Sequence, residues 1–271
     1  MLYRALVFVP LFVPLRAAPA GATEYPCLIE PNQVLKLAAA AQGVIASVDV
    51  GRGDRVRKGQ VLARLDSEVE EANVQIAHVH AQNDTALRSG RARLDFLKRK
   101  QGRNEQLRVT DAASFAQVDE ATADAKVAEA QLREAELNVA QARLEALRAE
   151  GVLRQRRVVS PVDGVITDRS LGPGEFRNDQ ASILTVAELD PLRVETFLPI
   201  ALHGRVKVGD QVEILPEAPV GGVHSATVSV VDMVFDAASG TIGVRLRLPN
   251  PGMTIPAGIH CRARIVENPA R

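Results

Sequence analysis

Apolar positions along this chain keep three different rhythms, and each change of rhythm marks a change of element. From Val69 to Leu97 apolar and small residues step by three and four: Val69, Ala72, Ile76, Val79, Asn83, Ala86, Gly90, Leu94 and Leu97. The same stepping resumes at Val118 and passes through Ala121, Ala125, Ala128, Leu132, Ala135, Val139, Ala142, Ala146 and Ala149. Such spacing puts one side chain per turn on a single helix face, so it predicts two long helices meeting in an antiparallel coiled-coil hairpin. Ser67-Glu68-Val69-Glu70 and Ser114-Phe115-Ala116-Gln117 each fit a capping box at a helix start. The turn is expected between about Leu107 and Ser114, with Gly102 loosening the first helix at a cost near 1 kcal/mol relative to Ala. At 1.5 Å per residue, helices of about 35 to 40 residues project on the order of 55 to 60 Å. A weaker stripe on the returning helix (Val127, Ala130, Leu137, Leu144, Leu147) fits either contact with another protomer or extra coverage within the hairpin.

From Leu192 onward the rhythm becomes period two, in LRVETFLP, QVEILP, HSATVSVVDMVF, TIGVRLRLP and IHCRARIV. Turn signals separate these runs at Val208-Gly209-Asp210, Ser239-Gly240, Pro249-Asn250-Pro251-Gly252 and Pro256-Ala257-Gly258. Short alternating strands with frequent turns predict a small antiparallel β-barrel or sandwich. Ile200 to Val206 reads as a short helix at one end. The extended stretch Cys27 to Leu37 is expected to add a strand to the same sheet.

The third rhythm is a repeat that flanks the hairpin. AAQGVIASVDVGRGDRVRKGQVLARLD precedes it and SPVDGVITDRSLGPGEFRNDQASILTVAELD follows it. At a constant offset of 121, Gly43 aligns with Gly164, Val44 with Val165, Ile45 with Ile166, Gly51 with Gly172, Gly53 with Gly174, and Asp54 with Glu175. A half-motif cannot cover its own apolar face, so the two copies are expected to pack on each other while the helical insert leaves and returns.

Composition narrows the classes. Lys plus Arg and Asp plus Glu are both 33, for a formal net charge of zero, which argues against a nucleic-acid partner held by bulk charge. Aromatics are only 3% and Trp is absent, so the 46% hydrophobic content is mainly Ala, Val and Leu, suited to thin helices and small sandwiches. At the N-terminus Arg4 precedes an apolar run from Ala5 to Leu15, then the small-residue patterns Ala18-Pro19-Ala20 and Ala20-Gly21-Ala22. This predicts an export signal over residues 1–22, because a run broken by Pro10 and Pro14 falls short of the ~20 residues that span a bilayer. Cys27 and Cys261 are the only cysteines. In an oxidising compartment they are expected to form a disulfide worth roughly 4 to 5 kcal/mol by loop entropy. The other reading is two unrelated buried thiols.

Candidate chemistry is sparse. His78, His80, His203, His224 and His260 lack metal spacing, and His78 and His80 do not share a helix face. Gly51-Arg52-Gly53 has no following Walker lysine, and no nucleophile elbow or His-Glu zinc motif is present. The basic run Arg88, Arg91, Arg93, Lys98, Arg99, Lys100 and Arg103 reads as a solvated helix face, with contact to an acidic partner as the other reading. No catalytic residue, metal ligand or cofactor is assigned.

With its paired half-motifs, intervening hairpin, LDPLRVETFLP, and a barrel ending SGTIGVRLRLPNPG and IPAG, the chain resembles the periplasmic adaptor, or membrane fusion, proteins of tripartite efflux and type I secretion systems (HlyD-like and RND-adaptor-like). The resemblance covers almost all of the chain after the export signal and implies an α+β, multi-domain, elongated fold. Its parts would be an extended strand at 23–37 joining the barrel, lipoyl-like half 1 at 38–66, the hairpin at 67–155, lipoyl-like half 2 at 156–190 and the barrel at 191–271. Family members that dock to TolC-type outer-membrane channels carry an Arg, a Leu four residues on and a Ser seven further, matched here by Arg103, Leu107 and Ser114, with Asp119 and Ala121 also at family positions. The implied role is a non-enzymatic periplasmic linker, exported and without a transmembrane helix, assembled as a homo-oligomeric ring (trimer or hexamer) between that channel and an inner-membrane transporter, for export of small molecules. The transporter stays open between RND and ABC types. RND adaptors usually continue into a membrane-proximal domain whereas this sequence stops at Arg271, and the N-terminal membrane helix usual in secretion adaptors is not found. The alternative is a lipoyl or biotin carrier domain of an acyl- or carboxyl-transfer enzyme. That needs a modifiable lysine where the halves join, and Lys58 lies inside the first half instead.

Overall fold

A computed structural model describes residues 23–265; the expected export signal at 1–22 lies outside them. In chain order the elements are β1 (Glu24–Leu37), β2 (Gly43–Val48), β3 (Arg55–Val56), β4 (Val61–Leu65), α1 (Glu68–Gln82), α2 (Thr85–Val109), α3 (Phe115–Arg154), β5 (Arg157–Val159), β6 (Gly164–Arg169), β7 (Phe176–Arg177), β8 (Leu184–Pro199), β9 (Gln211–Pro216), β10 (His224–Val231), β11 (Thr241–Leu248) and β12 (Ile259–Ile265). The chain divides into two compact units, one holding residues 34–187 and the other the described residues up to Gln33 together with those from Glu188 onward.

In the 34–187 unit the repeat folds as a swap. Gly43 and Val44 of β2 pair with Arg177 and Phe176 of β7, and at the same offset of 121 Gly164 and Val165 of β6 pair with Val56 and Arg55 of β3. The loops obey the same symmetry. Ile45 N–H donates to the Glu175 carbonyl and the Ile45 carbonyl accepts from Gly174, while Ile166 N–H donates to the Asp54 carbonyl and the Ile166 carbonyl accepts from Gly53, all at 2.8 to 2.9 Å. Gly53 and Gly174 both hold the positive φ that these tight turns require. Ile45, Ile166, Leu62, Ile183, Leu65 and Val186 fill the space between the halves and are essentially inaccessible to solvent. Arg177 is buried where the first half has Val56, and its guanidinium donates to the carbonyls of Ala41, Asp179 and Ala181.

The arm departs after β4 and returns into β5. Its returning limb, α3, follows the expected seam: Ala121, Ala125, Ala128, Ala135 and Ala146 are buried, and Val118, Leu132, Val139, Ala142 and Ala149 are half-buried. The outgoing limb differs from expectation in several ways. It is two helices, broken at Asn83–Asp84, because short polar side chains there serve the backbone locally: Asn83 Oδ1 accepts from Thr85 N–H, and the Asp84 carboxylate pairs with Arg88 one turn on. Val69, Ala72, Ile76, Val79 and Asn83 face solvent, and the inward positions of α1 are Glu70, Val74, Ala77, His78 and Ala81. Glu70 and His78 turn inward because α3 offers Arg156, just past its end, and Glu150 as partners, the latter 2.9 Å from His78. On α2 the seam runs through Leu87, Gly90, Leu94 and Leu97, while Ala86 is exposed. The Ser67 capping box does not form: its hydroxyl donates to Glu71, and Asp66 accepts from Glu68 N–H. Gly102 does not interrupt α2, which continues to Val109.

At the root Arg156 donates to the Gln42 carbonyl at 2.8 Å and pairs with Glu70, both partners being less than a quarter exposed. The Arg156 carbonyl accepts from Leu65 N–H. Entry and exit of the arm are thus tied to the same strand end.

In the other unit six strands close in the order β1-β12-β9-β10-β11-β8, with β1 pairing back to β8. Alternation carries the core, as in β11, where Ile242, Val244, Leu246 and Leu248 point inward. The segment expected as a helix from Ile200 to Val206 is a single 3-10 turn, Ile200–Leu202. Asn250 is buried in its loop, donating to the Leu189 and Ile255 carbonyls and accepting from Ile255 N–H. Cys27 and Cys261 are directly opposed in the β1–β12 register and are disulfide-bonded, with Cα atoms 4.8 Å apart. Beside them Glu24 accepts from Arg264 and Arg262, which hold its carboxyl below the ordinary glutamate range.

Two expected outcomes follow from these contacts. A Cβ on Gly164 would lie 2.3 Å from the Ala187 carbonyl oxygen, a backbone atom that cannot swing aside; Gly164→Ala should therefore lower the denaturant-derived unfolding free energy by about 1 to 3 kcal/mol. Replacing both cysteines by serine should cost about 2 to 5 kcal/mol in the same assay. Equal thiol labelling of the wild type with and without reductant would contradict the bond.

Candidate functional site at the hairpin tip

The far end of the arm is built by the end of α2, a five-residue turn and the start of α3. Leu107 closes α2: its carbonyl accepts from Thr110 N–H, Thr110 Oγ1 and Ala112 N–H. Asp111 supports the reversal in the left-handed region at φ 55°, a conformation that Asp tolerates better than most residues. Ser114 then opens α3 with a complete capping box: Gln117 N–H donates to Ser114 Oγ at 3.3 Å and Ser114 N–H donates to Gln117 Oε1 at 2.9 Å. Asn104 bridges the limbs by donating to the Gln117 carbonyl.

Arg103 and Leu107 lie one turn apart on α2 and therefore share a face; both are exposed. Ser114 is exposed across the turn, and Gln117 engages its side chain. The structure thus gathers the three residues at one end of the arm, though no hydrogen bond among the described residues joins them to one another. Asp119 is exposed on α3, while Ala121 is fully buried in the seam.

Three further tip residues escape the periodic reading. The Arg108 guanidinium carbon sits 3.1 Å from the centre of the Phe115 ring, a cation–π contact. Phe115 and Val109 are 74% and 86% exposed, so the tip presents an apolar surface wider than Leu107 alone. The available signal was a Phe at the first helical position beside the Ser114 cap, which core packing does not require. Among the described residues no three His, Cys, Asp or Glu side chains form a group able to hold a metal, and no helix is long and apolar enough to cross a membrane.

A model of the CzcB-like, barrel-sandwich hybrid domain matches residues 33–188, more than half of the chain. The chain belongs to this barrel-sandwich hybrid family. The resemblance to membrane fusion adaptors therefore stands at the level of family, and that family consists of non-enzymatic linkers. Among relatives of this barrel-sandwich hybrid protein, the multidrug efflux pump subunit AcrA of Escherichia coli (strain K12) is 26% identical over 259 residues, covering 90% of the chain and 62% of AcrA. The pyoverdine export membrane fusion protein PvdR of Pseudomonas putida is 33% identical over 185 residues, covering 67% of the chain and 47% of PvdR. The chain thus spans 47% to 62% of the length of these two relatives. Of solved structures, MacA from Actinobacillus actinomycetemcomitans shares the fold at a TM-score of 0.70 and 23% identity, covering 90% of this chain and 78% of MacA.

Cap and contact roles of Ser114 are separable. Ser114→Ala should destabilise the tip by about 1 kcal/mol, read as faster amide exchange in the first turn of α3, and Ser114→Asp should restore protection because Asp also caps. Unchanged exchange in the alanine variant would remove the capping role.

Proposed function

We propose that this chain is a periplasmic adaptor that joins an inner-membrane transporter to a TolC-type outer-membrane channel, meeting the channel through Arg103, Leu107 and Ser114. The observation that carries this reading is an arm rooted in a barrel-sandwich hybrid whose far end exposes a guanidinium, the three apolar side chains of Leu107, Val109 and Phe115, and a capping serine. In this reading Arg103 donates to carbonyls or carboxylates of the channel, Leu107 is the apolar anchor, and Ser114 both caps α3 and offers its hydroxyl. The chain is exported by residues 1–22, acts in the periplasm as a ring of copies, trimer or hexamer, and serves the export of small molecules by an RND or ABC transporter. Similarity to AcrA, a multidrug efflux pump subunit, and to PvdR, a pyoverdine export membrane fusion protein, supports that class of work. A carrier-domain role is disfavoured by the junction of the halves, where β4 ends at Leu65 and α1 begins at Glu68 with no lysine between them.

Arg103→Asp and Leu107→Asp should each reduce export by the intact system to the level of a strain lacking the chain. The Cys27–Cys261 bond and far-UV spectrum should stay as in the wild type. Full export by both folded variants would refute the tip assignment. A lipoyl or biotinyl adduct in the intact mass would refute the adaptor reading itself.

A further inference from the structure

The barrel exposes large apolar side chains at the end opposite Asn250, where β8 finishes at Pro199 and β11 starts at Thr241. The β10–β11 hairpin is asymmetric there. Asp232 N–H donates to the Gly243 carbonyl and Asp236 N–H to the Thr241 carbonyl, so Met233, Val234 and Phe235 stand opposite the single residue Ile242. Ile242 is buried in the barrel core, and the surplus residues are displaced outward: Met233 and Val234 are 87% and 84% exposed. Phe235 is held from one side by the edge-on ring of His203, with centroids 4.8 Å apart. Ile200 N–H donates to the Gly240 carbonyl, which ties the turn after β8 to the same hairpin. Around the bulge Phe197, Val208 and Val230 are 41% to 66% exposed. A bulge that presents Met and Val to water adds nothing to the barrel core, and exposed apolar side chains gathered in this way mark a contact surface.

The chain itself indicates what meets this surface. Glu24 at the start of β1 is paired with Arg264 near the end of β12, and Ile265 is paired with Val212 at the start of β9. The segment preceding β1 therefore joins the barrel at the end that carries the bulge. That segment contains the apolar run Ala5 to Leu15, and the residues between Leu15 and Glu24 reach at most about 30 Å. In the proposed role that run passes through the inner membrane during export, so a bilayer lies within reach of the bulge. Nearby carboxylates do not oppose it, because they are turned onto their own loops. Asp236 accepts from Ala238 N–H and from the Ser239 hydroxyl, and Asp210 accepts from Lys207 N–H. Lys207 is exposed at the same end.

We propose that the 233–235 bulge of the barrel dips into the lipid bilayer, with Met233 and Val234 among the acyl chains and Lys207 at the level of the phosphates. Phe235 stays against His203 and acts as the stem. A bilayer fits because the apolar side chains protrude from a loop and need a yielding apolar phase, and because the apolar run before β1 enters at the same end. Two inserted side chains and one cation make a weak, reversible interfacial contact, so the bulge orients the barrel on the membrane without anchoring it. The inference rests on the periplasmic placement in the proposed adaptor role and not on the tip assignment. Failure of the lipid contact leaves Arg103, Leu107 and Ser114 as the docking residues, and failure of the tip assignment leaves the lipid contact standing.

The chain has no tryptophan, so Val234→Trp places a single fluorescent reporter in the bulge of the full chain. With vesicles of phosphatidylethanolamine and phosphatidylglycerol its emission should move to shorter wavelength, and lipids brominated on their acyl chains should quench it. Val223→Trp, just before the opposite end of β10, should show neither change. Unaltered emission of the Val234→Trp chain on adding vesicles would overturn the proposal, and so would equal quenching of the Val223→Trp chain. A shift that grows with protein concentration in the absence of lipid would identify a second copy as the occupant. One that requires a transporter in the vesicles would identify a protein surface, and either result would overturn the lipid contact. Adding Met233→Asp to the Val234→Trp chain, with its native spectrum and disulfide verified, should raise the lipid concentration for half-maximal shift roughly tenfold or more. An unchanged lipid requirement would also overturn the proposal.

Discussion

Four backbone hydrogen bonds in two symmetry-related pairs hold the base of this molecule together, and the arm depends on them. Ile45 reaches the loop at Gly174–Glu175 while Ile166 reaches the loop at Gly53–Asp54. Neither half completes its own edge; each supplies a short strand to the other. The sandwich therefore forms only when both ends of the helical insert have come back together, and closing a long loop is an entropic cost that the insert lowers by folding back on itself. The hairpin brings Leu65 and Arg156 side by side, and the reciprocal bonds hold them there.

The arm is stiffened unevenly along its length. Its α3 seam is dominated by alanine, which lets the helices approach closely but removes little apolar surface from water per residue. Gly90 takes this furthest, since a Cβ there would touch Leu132. Toward the root the seam turns polar, with Glu70 and His78 facing Arg156 and Glu150. Orientation at the root thus rests on directional pairs, while the middle rests on close packing. The break at Asn83–Asp84 falls between these regimes.

Several features were legible because they rest on local chemistry. The offset of 121 carries through from glycine turns to strand pairing, since the backbone conformations those turns need are encoded residue by residue. The α3 seam was equally plain. The α1 face was misread because periodicity assigns the most apolar stripe to the interior, and Val69, Ile76 and Val79 form the more apolar stripe. What overrides that rule is a cross-helix partnership of Glu70 with Arg156 and His78 with Glu150, invisible to a pattern taken one helix at a time. Asn83 within the supposed seam was the available warning. At the tip, Ser114 was readable as a cap, but the stacking of Arg108 on Phe115 and the exposure of Val109 depend on how the turn folds. Asn250 looked like an ordinary turn residue and is buried because its loop closes over it.

The disulfide has a consequence for damage as well as for folding. Cys27 and Cys261 are 234 positions apart, and every described loop and the whole arm lie between them. A single protease cut at the exposed turn between α2 and α3 would leave two fragments joined covalently at the barrel and interlocked through the exchanged strands of the sandwich. The clipped molecule would keep its mass and much of its fold while losing the continuity of its tip, and would pass for intact until reduced.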